Sequence, residues 1–446
     1  MGSVHTAQVQ SFGEGAEVRV LVQDFPVFVE GALPGEYIRI RITHLGERYG
    51  HGEVLDLADP SPDRVRARCR HYGVCGGCDL QHMAWERQAE LKTRLVARLL
   101  GKALGVEPEE LPVFDTLAPE HPWGHRGKIG MRLAADDRGV RVGLLARRSN
   151  DVVDLRECPV QDEAGNALAG RLIDAVHRLR VPAGEPKGPP GLRALLVRVA
   201  PGTGELGVVL VGNAMRLDAL SPLIQAARDG GAVQVAYNFH PDPGPQLIGR
   251  RTTLVWGKPR LQAQVAGVHY LISPGAFFQT SAWGATALVE TVRQATPPGG
   301  DVLDLYCGGG LLTLGLVGHA RRLVGIEENT TAVDDANKAL KLNGFSDVSF
   351  VAGRVEEKLA GVLEDRRFSA VVLDPPKAGA EVAVLDAVAR HRPGRIVYVA
   401  CDPYGLARDA ALLAERGYRF EGAQPIDMFP QTAEVETVAI FEPQRR

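Results

Sequence analysis

Long apolar segments are missing from this chain of 446 residues. A transmembrane helix needs about 20 consecutive apolar residues, and no run approaches that length. The N-terminus also lacks a basic stretch followed by an apolar one, which is the pattern of a secretory signal peptide. We therefore expect a cytoplasmic protein that does not associate with a membrane.

Cysteine is scarce, and an excess of positive charge is absent. The six cysteines are Cys69, Cys75, Cys78, Cys158, Cys307 and Cys401. They are too few and too clustered for a disulfide framework, so metal-binding or catalytic roles are favoured. The net charge of −3 gives no general sign of a polyanionic partner, and basic character must be sought locally.

The chain is too long for one ordinary core, so two or three domains are expected. Short strand-like runs at 18–20, 27–29 and 38–42, separated by glycine and proline, predict a small antiparallel barrel. The stretch 29–36 resembles the TRAM domain, an OB-like RNA-binding module. Arg39 and Arg41 alternate with apolar residues, which places both guanidinium groups on one face.

The next region combines arginine with cysteine. Arginines recur at every second position, and an extended conformation would place them on one face: Arg64, Arg66, Arg68 and Arg70. Four thiols follow at a spacing of one Cys-x-x-Cys pair, a nearby third and a distant fourth, namely Cys69, Cys75, Cys78 and Cys158. This spacing favours an iron–sulfur cluster over zinc, since zinc sites commonly use two compact pairs.

Two further stretches precede the last third of the chain. Helical periodicity from 83 to 104 predicts a packed amphipathic helix. A basic, strand-like stretch from 122 to 160 interleaves Trp123 and His125 with arginine and lysine. It is equally typical of an RNA-binding surface and of a solvated basic face.

From about residue 273 short apolar runs alternate with helical patterns, which indicates a parallel α/β sheet. The strand 302–305 leads into a turn rich in glycine, and a second strand ends at Glu327, where a cofactor ribose is commonly held. No Lys-Ser/Thr pair follows these glycines, which disfavours a P-loop. A nicotinamide cofactor and S-adenosyl-L-methionine (SAM) both remain compatible with this pattern.

Cys401 and Glu436 are the candidate catalytic residues. Cys401 ends the apolar run 396–400, and the carboxyl ends of parallel strands are where ligands bind. A lone cysteine there is more often structural, because a free thiol behaves as a small hydrophobe. Glu436 begins the final apolar strand and is placed to remove a proton from whatever Cys401 attacks.

Asp374-Pro375-Pro376 resembles the motif with which SAM-dependent nucleic-acid methyltransferases contact a target base. With it, nearly the whole chain resembles the RNA uracil-5-methyltransferases of the TrmA/RumA type. The resemblance implies Cys401 as nucleophile and Glu436 as base. It assigns the cofactor contacts to Gln279, Asp304, Tyr306, Gly308, Glu327 and Asp374. It assigns the ligands of a 4Fe-4S cluster to Cys69, Cys75, Cys78 and Cys158.

The resemblance also implies the architecture. We expect a TRAM barrel over 1–60, a central α+β iron–sulfur and RNA-binding domain over 61–270, and a Rossmann-like SAM methyltransferase domain over 271–446. A helix at about 88–117 is expected to pack on the last of these. The protein is expected to be a monomer.

Four residues near the catalytic pair depart from the family pattern. Lys377 replaces Arg, Ala400 replaces Ser, Asp402 replaces Asn and Glu434 replaces His. Three hypotheses result. The first is methylation of carbon 5 of a uridine in structured RNA, with 23S ribosomal RNA favoured over transfer RNA. The second is the same reaction on cytidine, and the third is an inactive RNA-binding protein with a cluster.

Overall fold

The computed structural model describes residues 2–13, 15–137, 139–215 and 220–444. Within these ranges the chain builds a closed five-stranded barrel, two seven-stranded sheets and a two-stranded hairpin. No helix in the described ranges is both long and apolar enough to cross a membrane.

The N-terminal barrel has the strand order β1-β2-β3-β5-β4. Its strands are β1 (Val4–Phe12), β2 (Val18–Val22), β3 (Phe25–Val29), β4 (Tyr37–Leu45) and β5 (Gly50–Asp59). Burial alternates along β4, so Ile40 lies in the core while Arg39 and Arg41 share the outer face. The predicted barrel is thus confirmed, but it is not wholly antiparallel, because β3 and β5 pair in parallel. Arg39 and Arg41 form ion pairs with Asp56 and Glu53 on β5.

A seven-stranded sheet follows, with the order β12-β11-β10-β9-β6-β7-β8. Its strands are β6 (Lys128–Asp136), β7 (Gly139–Leu145), β8 (Val152–Asp154), β9 (Leu192–Val199), β10 (Leu206–Gly212), β11 (Ala232–Phe239) and β12 (Arg251–Gly257). Helices α2 (Glu163–Arg178) and α3 (Leu220–Asp229) bury their apolar faces against it. The hairpin of β13 (Leu261–Val265) and β14 (Val268–Ile272) leads to the last sheet.

The last sheet has the order β17-β16-β15-β18-β19-β21-β20. Its strands are β15 (Asp301–Leu305), β16 (Arg322–Glu327), β17 (Val348–Ala352), β18 (Ala370–Leu373), β19 (Arg395–Ala400), β20 (Tyr418–Ile426) and β21 (Glu436–Pro443). Helices α4 (Ala282–Ala295), α5 (Leu311–Gly315), α6 (Thr330–Asn343), α7 (Val355–Asp365), α8 (Val382–His391) and α9 (Pro403–Glu415) accompany it. The first five strands in chain order are parallel, and β21 runs antiparallel between β19 and β20. The order reverses between β15 and β18, which is where open α/β sheets bind ligands.

Helix α1 (Trp85–Leu104) connects the N-terminal half to the last sheet. Its apolar face, including Val96 and Leu100, joins a core of the last sheet, and the helix packs mainly against α9. The expected extent of 88–117 is wrong, because Gly105 adopts a left-handed conformation and closes the helix. The chain then extends, and Val113 and Leu117 form bridges to β20.

Candidate active site

Five candidate residues lie at one edge of the last sheet. Tyr306 follows β15, Glu327 ends β16, Asp374 follows β18 and Cys401 follows β19. Glu436 begins β21, and since β21 is antiparallel its first residue lies at the same edge. The carboxyl ends of parallel strands lie at the same edge of a sheet. Residues that are distant in sequence are therefore close together here.

A cavity of about 740 Å³ opens at this edge. The eight residues predicted for cofactor binding and catalysis all line it: Gln279, Asp304, Tyr306, Gly308, Glu327, Asp374, Cys401 and Glu436. A volume of several hundred cubic ångströms is typical of sites that hold a small molecule.

The carboxylate of Glu327 is held by backbone groups at the cofactor end of the cavity. The Gly308 N–H donates to Oε2 at 3.0 Å, and the Asn329 N–H donates to Oε1 at 2.7 Å. Tyr306 has a φ of +63°, an unusual value for a bulky residue that is found mainly at functional turns. Its hydroxyl donates to Glu356 at 3.2 Å. The turn after β15 is thus shaped to bring backbone and carboxylate close to a ligand.

Asp304 lies at the floor of the same turn and is completely buried. The Thr313 hydroxyl donates to its Oδ2, while its buried Oδ1 has no partner within the protein. Burial raises the pKa of Asp304 to about 7, and the nearby Asp374 and Glu327 carboxylates add to this effect. A buried oxygen without a partner beside a cavity is a candidate acceptor for a ligand.

Cys401, Asp374 and Glu436 form the opposite end of the cavity. Burial raises the pKa of the half-buried Cys401 thiol to about 11, with further contributions from Glu436 and Asp374. Burial among protein atoms also raises the pKa of Asp374 and of Glu436. Burial is thus the main cause of all three raised pKa values, whereas the nearby Lys377 charge lowers the pKa of Cys401 and of Glu436.

Lys377 and Glu434, two of the departures from the family pattern, contact each other. Lys377 Nζ lies 2.9 Å from Glu434 Oε1, and both residues line the cavity. Asp402 has a different role, because it caps α9: its carboxylate accepts from the Gly405 N–H at 3.2 Å and the Tyr404 N–H at 3.5 Å. Asp402 does not line the cavity.

A buried clamp that the sequence analysis missed holds the segment before Glu436. Lys92 Nζ lies 2.5 Å from Asp427 Oδ1, and both side chains are fully buried. Gln88 exchanges hydrogen bonds with Gln431, accepting from its N–H at 3.1 Å. The signal available in the sequence was a lysine on the apolar face of α1, one turn after Gln88.

A second, smaller cavity brings the four predicted cluster ligands together. Cys69, Cys75, Cys78 and Cys158 all line it and are free thiols. Arg126 reaches the same cavity. Among the described residues no group of three or more Cys, His, Asp or Glu side chains forms a site for a metal ion. The four thiols share one cavity, and the cluster itself stays a prediction.

The arginines before these cysteines do not act alike. Arg64 makes hydrogen bonds of 2.6 Å and 2.7 Å to the buried Glu36 and so ties this segment to the barrel. Arg66, Arg68 and Arg70 are exposed, and Arg68 lies 5.2 Å from the centre of the Trp123 ring. The prediction of four cations on one face is therefore wrong for Arg64.

The basic stretch 122–160 is not one open face either. Arg147 and Arg148 both contact Glu30 of the barrel, at 2.5 Å and 2.8 Å. Burial lowers the pKa of Lys128 to about 8, with a contribution from Arg198. Arg147 and Arg148 therefore connect this stretch to the N-terminal barrel.

Comparison with known proteins identifies the family. The tRNA (uracil-5-)-methyltransferase family matches residues 256–443. An RNA methyltransferase of Thermosynechococcus vestitus is 36% identical over 425 residues, which cover 94% of this chain and 93% of that protein. An RNA methyltransferase of Gloeobacter violaceus is 33% identical over 99% of this chain and 97% of its own length.

A solved structure has the same fold. The tRNA (uracil-54, C5)-methyltransferase of Pyrococcus abyssi, in complex with S-adenosyl-L-homocysteine, superposes with a TM-score of 0.77. The match covers 98% of this chain and 100% of that one at 24% identity, so it supports the fold alone. The family match and the sequence relatives show that the chain belongs to the RNA uracil-5-methyltransferase family and is an RNA methyltransferase.

Proposed function

We propose that this enzyme methylates carbon 5 of a uridine in structured RNA, with Cys401 as nucleophile and Glu436 as base. The observation that carries the proposal is that both residues line one cavity with the candidate cofactor residues. A nucleophile, a base and a cofactor site must lie within a few ångströms of one reacting carbon.

The cofactor end of the cavity suits SAM. Glu327, already oriented by two backbone N–H groups, accepts hydrogen bonds from the ribose hydroxyls. Gln279 and Gly308 line the same end, and Asp304 offers an oxygen that has no protein partner. Acidic lining also favours a sulfonium cation. When bound, SAM supplies the methyl group that carbon 5 of the pyrimidine accepts.

The chain's own residues perform the remaining steps. Cys401 loses its proton to water as its sulfur bonds to carbon 6, which places a pair of electrons on carbon 5 and the neighbouring oxygen. After methylation carbon 5 carries both a hydrogen and a methyl group. Glu436 removes that hydrogen as a proton, the ring double bond reforms, and the bond from carbon 6 to sulfur breaks. Because burial raises the pKa of Glu436, it holds a proton more tightly than an exposed glutamate does.

Uridine is favoured over cytidine because of the position of Asp402. Its carboxylate caps α9 and lies outside the cavity lining, so it does not support recognition of a cytosine amino group. Asparagine and aspartate are comparable N-cap residues, and the exchange from the family's Asn preserves this function. The target nucleotide must leave its stack to reach Cys401, which favours a loop in the RNA.

The RNA substrate has two candidates. We predict 23S ribosomal RNA from the resemblance, because the TRAM barrel and the cluster cysteines occur together in the branch of the family that acts on ribosomal RNA. Transfer RNA is the second candidate, because the matched family and the superposed P. abyssi enzyme are both described as acting on tRNA. Product analysis with both RNAs separates them.

We also propose the division into domains at 1–60, 61–270 and 271–446, with a 4Fe-4S cluster held by the four cysteines of the second cavity. Their shared cavity supports four-cysteine ligation. The cluster would supply a rigid support for the cysteine loop. Exposed Arg66, Arg68 and Arg70, with Trp123 beside Arg68, supply phosphate contacts and a stacking surface next to it.

A denaturing gel tests the catalytic assignment. Each variant is incubated with SAM and either RNA transcript. Glu436→Gln should accumulate a slowly migrating RNA–protein adduct, because an amide cannot take the carbon 5 proton. Cys401→Ala should give neither adduct nor product, and digestion of wild-type product should yield 5-methyluridine. An adduct with Cys401→Ala would show that another residue is the nucleophile, and 5-methylcytidine would identify cytidine as the target.

A further inference from the structure

The main cavity is strongly acidic for an enzyme whose substrate is a polyanion. Eight carboxylic side chains line it: Asp304, Glu327, Glu328, Glu356, Asp374, Glu381, Glu434 and Glu436. Among the lining residues only Arg354 and Lys377 carry a permanent positive charge. Burial raises the pKa of Asp304, Asp374 and Glu436, but the other five acids still outnumber the two cations. Such a lining attracts a cationic cofactor but repels RNA phosphates. The nucleic acid therefore needs a cation near the catalytic end.

The two cations differ in how they are held. Arg354 lies between two acids, 3.3 Å from both Glu356 and Glu381. Lys377 forms one ion pair among the described residues, with Glu434, and its charge also acts on Asp402 and Glu436 from a greater distance. Its side chain is 70% exposed and that of Glu434 is 47% exposed, so the pair lies at the surface of the cavity. Exposed pairs of this kind are weak and exchange partners readily.

The pair also joins the two segments that flank the catalytic centre. Lys377 follows the Asp374-Pro375-Pro376 turn after β18, whereas Glu434 precedes Glu436 at the start of β21. The contact between them therefore joins the two segments at the cavity that Cys401 also lines.

We propose that the Lys377–Glu434 pair is an exchangeable latch that the substrate RNA opens. A phosphate of the RNA backbone replaces Glu434 as the partner of Lys377 while the target base passes to Cys401. The inference rests on the proposed function, since it concerns the RNA substrate of the same site. It explains how an acidic cavity admits a polyanion: the one cation with a single, exposed acidic partner takes the phosphate.

A double-mutant cycle on RNA binding tests the latch. Binding of in vitro transcribed 23S fragments and tRNA is measured without SAM, across a salt series. Lys377→Met should weaken binding and reduce the slope of log K against log salt by roughly 0.7 to 0.9, the effect of one lost phosphate contact. Glu434→Gln should strengthen RNA binding about two- to fivefold, because no ion pair between Lys377 and a carboxylate has to be broken when the phosphate binds.

The double variant distinguishes a latch from a merely structural pair. In the Lys377→Met background Glu434→Gln should strengthen binding less than it does with Lys377 present, since no cation remains to be released and only the repulsion between carboxylate and phosphate is lost. Lys377→Arg should restore the salt slope. Lys338→Met, which breaks an exposed pair with Asp334 on α6, is the matched control and should leave the slope unchanged.

Three results would overturn the proposal: an unchanged salt slope in Lys377→Met, weaker binding in Glu434→Gln, or an effect of Glu434→Gln that is undiminished without Lys377. The methylation assay is separate. If the wild-type protein does not methylate either RNA, the proposed function is wrong. If it does methylate RNA but one of the three binding results is obtained, only the latch is wrong.

Discussion

The buried contact between Lys92 and Asp427 predicts that one substitution far from the cavity will loosen the segment that carries Glu436. Lys92 Nζ also donates to the Phe429 carbonyl at 3.3 Å, so the lysine holds two points of this segment. Burial lowers the pKa of Lys92 and raises the pKa of Asp427, and their mutual contact opposes both shifts. The pair is stable only while both partners are present.

Lys92→Met removes the positive charge and leaves Asp427 buried. Asp427 Oδ1 would keep one hydrogen bond, from the Phe429 N–H at 3.1 Å, and Oδ2 has no hydrogen-bond partner among the described residues. A neutral N–H does not replace the positive charge of the lysine. Removing one partner of a buried ion pair costs about 3 to 5 kcal/mol. A factor of ten in an equilibrium constant corresponds to about 1.36 kcal/mol. The protection of backbone amides in the segment 427–436 from hydrogen exchange should therefore fall roughly 10²- to 10⁴-fold.

Native-state hydrogen exchange of peptides from 427 to 436 measures this loss. Lys338→Met is the control, because its partner Asp334 is half exposed and such pairs contribute about 0 to 1 kcal/mol. Asp427→Asn gives a second test. It leaves Lys92 buried without its counter-ion, so the open state binds more protons than the closed state. Protection should then rise with pH after correction for the intrinsic exchange rate.

A change in protection smaller than the control's would refute the argument, because it would mean that Lys92 does not hold the segment. Protection in Asp427→Asn that falls as pH rises would contradict the assigned direction of the Lys92 pKa shift.

Three further predictions concern the two cavities. Glu327→Ala should weaken SAM binding roughly ten- to a hundredfold in calorimetry, since a charge-assisted acceptor contributes about 1.5 to 3 kcal/mol, and unchanged affinity would show that the ribose site is misplaced. Cys78→Ser should abolish the brown colour and broad visible absorption of anaerobically purified protein, whereas stoichiometric zinc without iron in the wild type would exclude the cluster. Alkylation of Cys401, followed by peptide mass spectrometry, should accelerate about tenfold per pH unit below its pKa of about 11. Glu436→Gln should shift that profile to lower pH, because a neighbouring carboxylate disfavours the thiolate, and an unshifted profile would contradict the contact.

The sequence determined the strands and the residues at their ends. Alternation in β4 predicted the barrel face, and unbroken apolar runs predicted β15, β18 and β19. Parallel strands end at one edge of the sheet, so a residue directly after such an apolar run is expected to lie at the main cavity. This local rule was sufficient for Cys401 and Asp374, and the start of the antiparallel β21 placed Glu436 beside them.

Partners distant in the chain were decided only by the tertiary structure. A lysine on a helix pattern is ordinarily solvated, and nothing local shows that Lys92 meets Asp427, 335 positions away. The period-two arginines were alike in sequence, yet Arg64 is partly buried and pairs with the buried Glu36 because the barrel lies beside it. In the sequence, Lys377 and Glu434 are two separate departures from the family pattern. In the folded sheet Lys377 Nζ lies 2.9 Å from Glu434 Oε1. Periodicity records which face of an element is apolar, whereas the partner of a charge depends on how the elements pack.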